Sequence, residues 1–121
     1  MLTLVMLAAA TTFLGATNSG VRVLIEPASL KLVGKARVAT IRLGSPRSIA
    51  GRIVETRQIE HIDCAGRRWG LVSFEAFDEN GEVIASQKAS SVPPKMLPVM
   101  PDSLGEMVLE NVCRLPIPKS L

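Results

Sequence analysis

Residues 72–85, VSFEAFDENGEVIA, have the clearest strand–turn–strand pattern in the chain. Apolar and β-branched residues flank Asn80-Gly81, a pair that favours the positive φ values of a tight hairpin turn. The stretch therefore predicts two antiparallel strands, residues 67–77 and 83–87, joined by a turn at Asp78–Gly81. A hairpin of this kind implies that the sheet is antiparallel.

Three further strands are predicted before the hairpin. They cover residues 21–26, 36–43 and 53–64, which are rich in β-branched and apolar side chains. Pro27 is predicted to end the first of them, because proline lacks the N–H that a central strand donates. The segment Cys64-Ala-Gly-Arg67 predicts a second tight turn, leading into the hairpin.

The side-chain alternation of residues 67–77 changes phase within the strand. Trp69 and Leu71 fall on one face of a regular strand, whereas Val72, Phe74 and Ala76 fall on the other. Because the side-chain period of a strand is two, one extra residue would reverse the faces. We therefore predict either a bulge near Gly70 or a sheet that is partly covered on both faces.

A proline-rich segment and a helix follow the hairpin. Residues 90–101 contain four prolines, which predict an irregular crossing loop. Ser103 is a suitable N-cap, and Glu106 completes a capping box. Apolar residues then recur at helical spacing up to Cys113, and Pro116 ends the helix. The predicted fold class is α+β: an antiparallel sheet of about five to six strands with one C-terminal α-helix packed on it.

The first twenty residues have the pattern of an export signal. Residues 1–14 are apolar or small, and small residues continue to Gly20. This pattern predicts a secretory leader cleaved between Ala16 and Gly20, followed by one domain (21–114) and a short tail (115–121). No Lys or Arg precedes the apolar run, so a buried N-terminal element of a cytosolic domain is the alternative.

The chain contains two cysteines, Cys64 and Cys113. In an exported protein, an even number of cysteines predicts a disulfide. Cys64 lies at a predicted strand end and Cys113 on the predicted helix, so the bond would fasten the helix to the sheet. Closing a loop of about 50 residues is worth about 4 kcal/mol in the chain-entropy model.

The candidate catalytic and metal sites are weak, so we predict a protein that is not an enzyme and has no cofactor. His61, Asp63 and Cys64 lie close together, but structural zinc needs four ligands and the chain has a single His. His61 and Cys64 would point to opposite faces of a strand, which argues against a Cys/His nucleophile. Glu79 and Glu82 flank a turn and predict solvent-facing charge. A small hydrolase remains a remote alternative.

Arginine provides the candidate binding surface. The scarcity of aromatic residues, 3% of the chain, argues against a nucleic-acid stacking surface, and the net charge of +3 is only mildly basic. Seven arginines lie on the predicted strands and their loops: Arg37, Arg42, Arg47, Arg52, Arg57, Arg67 and Arg68. We predict a binding face at Arg67, Arg68 and Trp69, because Arg and Trp carry much of the energy at interfaces. The alternative is a set of solvated strand faces whose arginines pair with Glu55, Glu60, Asp63 and Glu75.

The sequence resembles the surface-adhesin E-like proteins. The segment His61-Ile-Asp-Cys-Ala-Gly-Arg-Arg-Trp69 is similar to the Asp-Cys-Ala-x-Arg segment of that family. Further similar segments occur in the same order and cover residues 21–114: Ile25-Glu-Pro-Ala-Ser-Leu30, Asp78-x-x-Gly81, Pro101-Asp-Ser-Leu-Gly-Glu106 and Val112-Cys113. The resemblance implies a sheet of about six antiparallel strands and a helix tethered by Cys64 and Cys113.

The resemblance also implies a function and a location. The founding adhesin is associated with binding host matrix proteins and with dimerisation. We therefore expect a non-catalytic protein of the periplasm or cell surface of a Gram-negative bacterium, with a binding, adhesive or structural role. Its partner would be a protein or an acidic glycan, with a homodimer as a further possibility. The alternative is a periplasmic accessory or inhibitor-like domain that binds another envelope protein.

Overall fold

The structure is a computed structural model that describes residues 10–45 and 47–118. Its elements in chain order are β1 (Thr12–Ala16), β2 (Arg22–Val33), β3 (Ala36–Gly44), β4 (Glu55–Asp63), β5 (Arg68–Phe77), β6 (Val83–Lys88), β7 (Leu97–Pro98) and α1 (Leu104–Arg114). The sheet has the order β1-β2-β3-β4-β5-β6, each neighbouring pair is antiparallel, and β7 pairs with β5. The predicted fold class is confirmed.

The hairpin turn between β5 and β6 forms where the sequence predicts it. The N–H of Gly81 donates to the carbonyl of Asp78 at 2.9 Å, and Gly81 has a φ of 80°. The Asp78 carboxylate accepts the N–H groups of Asn80 at 2.9 Å and Glu82 at 3.0 Å. The side chain of Asp78 therefore satisfies turn donors that the strands do not pair.

The prediction that Pro27 ends its strand is wrong. β2 continues past it, with a register shift against β3 after Glu26. Within this irregularity the Ser29 hydroxyl accepts the N–H of Thr40 at 2.8 Å and donates to the carbonyl of Glu26 at 2.6 Å. Hydrogen bonds of the serine side chain thus replace ladder bonds next to the proline, which has no N–H to donate.

The change of phase in β5 is a bulge, as one of the two sequence interpretations predicts. Ile59 of β4 pairs with Ser73, whereas Glu60 pairs with Leu71, so Val72 is the extra residue. The bulge lies two residues after Gly70. It brings the apolar residues of both halves of the strand to the face that carries the helix: Trp69, Leu71, Phe74 and Ala76.

The core lies between that face of the sheet and α1. The helix buries Val108, Leu109 and Val112 against the central strands. The sheet contributes a set of buried aliphatic residues: Val23, Ile25, Leu30, Ala39, Ile41, Leu43 and Ile62. This apolar burial explains why the helix, whose opposite side is polar, docks on only one face.

The ends of the helix form as predicted. The Ser103 hydroxyl accepts the N–H of Glu106 at 3.1 Å, and the Glu106 carboxylate accepts the N–H of Asp102 at 3.0 Å. The first contact satisfies a donor that the first turn of a helix leaves unpaired. The second differs from a standard capping box, because Glu106 accepts the N–H of the residue before the N-cap and not that of Ser103. Leu115 is the C-cap, directly before Pro116.

Two strands lie outside the five segments predicted as strands. β7 falls in the proline-rich segment, so the prediction of a wholly irregular loop there is wrong; Pro98 is tolerated because the strand is only two residues long. β1 occupies residues of the predicted leader, pairs with β2, and places Leu14 against the core. Residues 1–9 of that leader, and 119–121 of the tail, lie outside the described residues.

Candidate functional site

The predicted disulfide is confirmed. Cys64 and Cys113 are bonded, with their Cα atoms 5.9 Å apart. Both cysteines of the chain are thereby oxidised, and neither is available as a thiolate nucleophile or a metal ligand. In the parts of the chain that the structure describes, no three His, Cys, Asp or Glu residues gather in a way that could hold a metal ion.

Arg67 fastens the helix. It follows the Cys64 turn, in which the Asp63 carboxylate accepts the N–H of Gly66 at 2.9 Å. Its guanidinium lies 3.0 Å from a carboxylate oxygen of Glu106 and 3.6 Å from one of Glu110. One side of the helix is therefore tied to this turn by an ion pair as well as by the disulfide.

Arg68 and Trp69 point to opposite sides of the sheet. Arg68 is exposed and lies 3.8 Å from the carboxylate of Asp63. Trp69 is half-buried on the helix side, where a Cβ added at Gly105 would lie 3.8 Å from the indole Nε1. The three residues of the predicted binding face are thus not brought together into one surface.

A buried carboxylate pairs with two arginines on the face of the sheet opposite the helix. Glu26 lies 2.7 Å from Nε of Arg42 and 3.2 Å from Nε of Arg57, and its side chain is 5% exposed. Burial acts to raise the pKa of Glu26, but hydrogen bonds and attraction from the two guanidinium groups outweigh it and lower that pKa. These arginines therefore stabilise the sheet and are not free for a partner.

Two more of the seven arginines have partners within the fold. Arg37 donates from Nη1 to the carbonyl of Val112 at 2.9 Å, and also to the carbonyl of Leu115, so β3 caps the C-terminus of the helix. Arg52 lies 3.3 Å from the carboxylate of Asp78 in the hairpin turn. The arginine-rich composition is therefore mainly a feature of internal pairing.

A groove opens between β5, the end of β6 and the proline-rich segment. We call this cavity of about 430 Å³ the proline-loop groove. Its apolar lining is Trp69, Leu71, Val72, Pro94 and Leu97, and its polar lining includes Lys88, Lys95, Gln87, Ser90 and Ser91. Both lysines are exposed. An apolar floor with two exposed ammonium groups suits an occupant that has apolar parts and negative charge.

The groove exists because β5 changes its partner along its length. One half of β5, from Ser73 onwards, pairs with β6, and its beginning pairs with β7. Gly70 lets the proline-rich segment approach β5, since a Cβ there would lie 2.7 Å from the ring of Pro94 and from the carbonyl oxygen of Lys95. Trp69 was predicted as a binding residue from the sequence, but Lys88 and Lys95 were not, because lysines near a sheet edge are common and carry no specific pattern.

A second, smaller cavity lies between the sheet and the N-terminal half of α1. We call this cavity of about 220 Å³ the Glu60 pocket. Glu60 is 7% exposed, and burial raises the pKa of its carboxyl to about 7. Glu60 is therefore not a surface partner for arginine, which corrects the interpretation of it as a solvated strand residue.

Comparison with protein-family models identifies one family for this chain. The model described as Surface-adhesin protein E matches residues 12–114, which include every strand and the helix. No curated protein and no solved structure matches the chain. Among the described residues, no helix is both long enough and apolar enough to cross a membrane.

Proposed function

Because the chain belongs to the surface-adhesin protein E family, we propose that it is an exported, non-catalytic binding protein of the cell envelope. The observation that carries this proposal is the proline-loop groove, with its apolar floor and its two exposed lysines. The proposed partner is a protein segment that presents apolar side chains together with acidic ones. Binding would thus occur beside Trp69, whereas Arg67 serves to hold the helix.

The lining of the groove favours a protein partner over an acidic glycan. Leu71, Leu97 and the half-buried Trp69 offer apolar surface, and apolar side chains gain free energy when they cover it. Lys88 and Lys95 would attract carboxylates to the rim and set the orientation of the segment. A sulfated or uronic-acid glycan would use the two lysines but leave most of the floor uncovered.

The side chains in the groove support binding and not catalysis. Its lining has two lysines but no carboxylate or imidazole, so it lacks a pair of groups for general acid–base chemistry. The alternative role, a periplasmic accessory domain, would use the same groove and differ only in compartment. A second copy of the chain is a further candidate partner, since all six residues of β6 are exposed at the edge of the sheet.

Reversing the charge of the groove should weaken binding of an acidic, apolar peptide. We expect K88E/K95E to bind a labelled peptide of alternating Glu and Leu at least about tenfold more weakly than the unmodified protein, because two attractions become repulsions. Fluorescence anisotropy of the peptide measures the affinity, and the emission of Trp69, the only tryptophan, reports contact with the groove.

The matched control is K31E/K35E, which makes the same change of charge at two exposed positions, one near the end of β2 and one in the β2–β3 turn. Equal weakening by both variants would mean a general charge effect and would exclude the groove as the site. Heparin provides the other arm. Tight heparin binding that K88E/K95E abolishes, with no peptide binding, would replace the protein partner with a glycan.

We also propose that export removes a leader that ends before β1. A cut between Ala16 and Gly20 would delete β1, whose Leu14 packs against the core and whose Gly15 lies under Met107. Ala8-Ala9-Ala10 supplies small residues upstream, in the arrangement that signal peptidases use. The packing of β1 supports cleavage near Thr11.

The mass of the protein recovered from the periplasm tests this proposal. We expect an intact mass for a chain that begins near Thr11 and a further gain of two hydrogens on reduction, as one disulfide opens. A mass for a chain that begins between residues 17 and 21 would restore the sequence-based cleavage site. An uncleaved chain with two free thiols would contradict export.

A further inference from the structure

The Glu60 pocket contains a carboxyl group that has no partner among the residues that the structure describes. Glu60 is 7% exposed, and burial by itself accounts for its raised pKa, with no charge or hydrogen bond from the described residues contributing. The other buried acid of the sheet, Glu26, has two arginines. An unpaired acid in an apolar site is costly, and such groups concentrate where proteins bind ligands.

The surroundings of Glu60 define which ligand would fit. The pocket walls are aliphatic and aromatic: Ile41 and Leu43 of β3, Trp69 of β5, and Leu104 and Val108 of α1. The other polar groups in the lining are the Gln58 amide, on the same strand as Glu60, and the indole N–H of Trp69. Among the described residues, no titratable side chain other than Glu60 lines the pocket. A ligand that matches it has a short apolar body and one positive charge.

We propose that the Glu60 pocket binds an alkylammonium group, with the Glu60 carboxylate as its ionic and hydrogen-bonding partner and Trp69 as an aromatic wall. A charged hydrogen bond inside an apolar site is stronger than one in water, and an aromatic wall favours an organic cation over water. The pocket, of about 220 Å³, is large enough for a short alkyl chain. The group can come from a free amine or from the end of a lysine side chain.

The proposed ligand site differs from the proline-loop groove in charge and in location. The groove presents ammonium groups and would attract an anion, whereas the pocket presents a carboxylate and would attract a cation. Trp69 is a wall of both cavities, but the charged residues are not shared. A variant of Glu60 therefore tests the pocket without changing Lys88 or Lys95.

Calorimetric titration with n-butylammonium chloride tests the proposal directly. We expect saturable binding, at least about tenfold weaker in E60Q, because the amide keeps the shape but removes the charge. Since the pKa of Glu60 is about 7, binding at about pH 5.5 should be roughly 30-fold weaker than at about pH 8. Near pH 7, binding should also release protons, so the measured heat should depend on the ionisation enthalpy of the buffer.

Controls separate the possible outcomes. E79Q makes the same substitution at an exposed residue of the hairpin turn and should bind like the unmodified protein. n-Butanol, an uncharged analogue, should bind far more weakly, and equal binding of the alcohol would overturn the role of the carboxylate. No saturable heat with any amine would show that the pocket holds only water and would overturn the proposal.

A second arm distinguishes the two sources of the group. Nα-acetyl-lysine-N-methylamide presents the ammonium on a side chain, and tighter binding of it than of butylammonium would point to a protein ligand. The reverse order would point to a free amine. Unchanged binding of the acidic peptide by E60Q would show that the groove functions independently, so failure of the pocket would leave the proposed function standing.

Discussion

The double variant C64S/C113S is expected to lose about 4 kcal/mol of unfolding free energy, because the bond closes a loop across a sequence separation of 49 residues. A domain of this size has a total stability of roughly 5–15 kcal/mol, so the loss is a large fraction of it. The helix should be affected first. Its remaining attachments are one apolar stripe, the Arg67 ion pairs and the two Arg37 hydrogen bonds.

Urea denaturation followed by Trp69 fluorescence and far-ultraviolet circular dichroism measures this loss. The unmodified protein in the presence of reductant is the control, and its midpoint should fall by the same amount as that of the double variant. A loss below about 1 kcal/mol in both would mean that packing alone docks the helix, contrary to the entropic argument.

The second large effect that we expect is a pH-dependent gain in the free energy of unfolding when Glu60 is replaced by glutamine. The folded pKa of Glu60 is about 7, above the ordinary value of 4.5, so between these values the folded state binds more protons than the unfolded state. Stability contributed by protonated Glu60 is therefore fully present below about pH 4.5 and is lost as the pH rises through 7. A shift of this size corresponds to up to about 3 kcal/mol.

E60Q should remove this loss of stability at high pH, because the glutamine side chain is uncharged at every pH in the range. We expect E60Q to match the unmodified protein at about pH 4.5 and to exceed its stability by up to about 3 kcal/mol at about pH 8. Urea denaturation of both proteins across this pH range measures the difference in their unfolding free energies. The contributions of the other titrating groups are the same in both proteins and cancel. E79Q is again the matched control. A constant difference across the range would show that Glu60 is already ionised or solvated in the fold.

Local sequence signals located most of the fold. The Asn80-Gly81 turn and the Ser103–Glu106 capping box depend on residues within a few positions of one another, so their hydrogen bonds form as the sequence predicts. The phase change in β5 predicted either a bulge or a sheet covered on both faces, and the register against β4 decides for a bulge at Val72. The prediction that Pro27 ends its strand was wrong because the Ser29 hydroxyl accepts the N–H of Thr40, which keeps β2 and β3 connected next to the proline.

The candidate sites depended on contacts between distant parts of the chain. The lysines of the proline-loop groove, Lys88 and Lys95, become neighbours of Trp69 only when the proline-rich segment crosses β5 at Gly70. A list of basic residues could not separate these exposed lysines from Arg42 and Arg57, which are engaged by Glu26. The basic residues of the sequence therefore predicted that a binding surface exists, but they did not predict where on the fold it lies.

The amino-acid sequence alone was enough to predict the antiparallel hairpin, the capped helix, the single disulfide and the family, because each rests on short-range patterns or on a count of two cysteines. The burial of Glu60, in contrast, follows from long-range packing. On β4, Glu60 shares a face with Gln58 and Ile62, and the helix that covers this face begins at Leu104, more than forty residues later. The burial of a strand residue depends on which distant segment packs over it. Here the packing of α1 over β4 encloses the Glu60 carboxyl in a pocket.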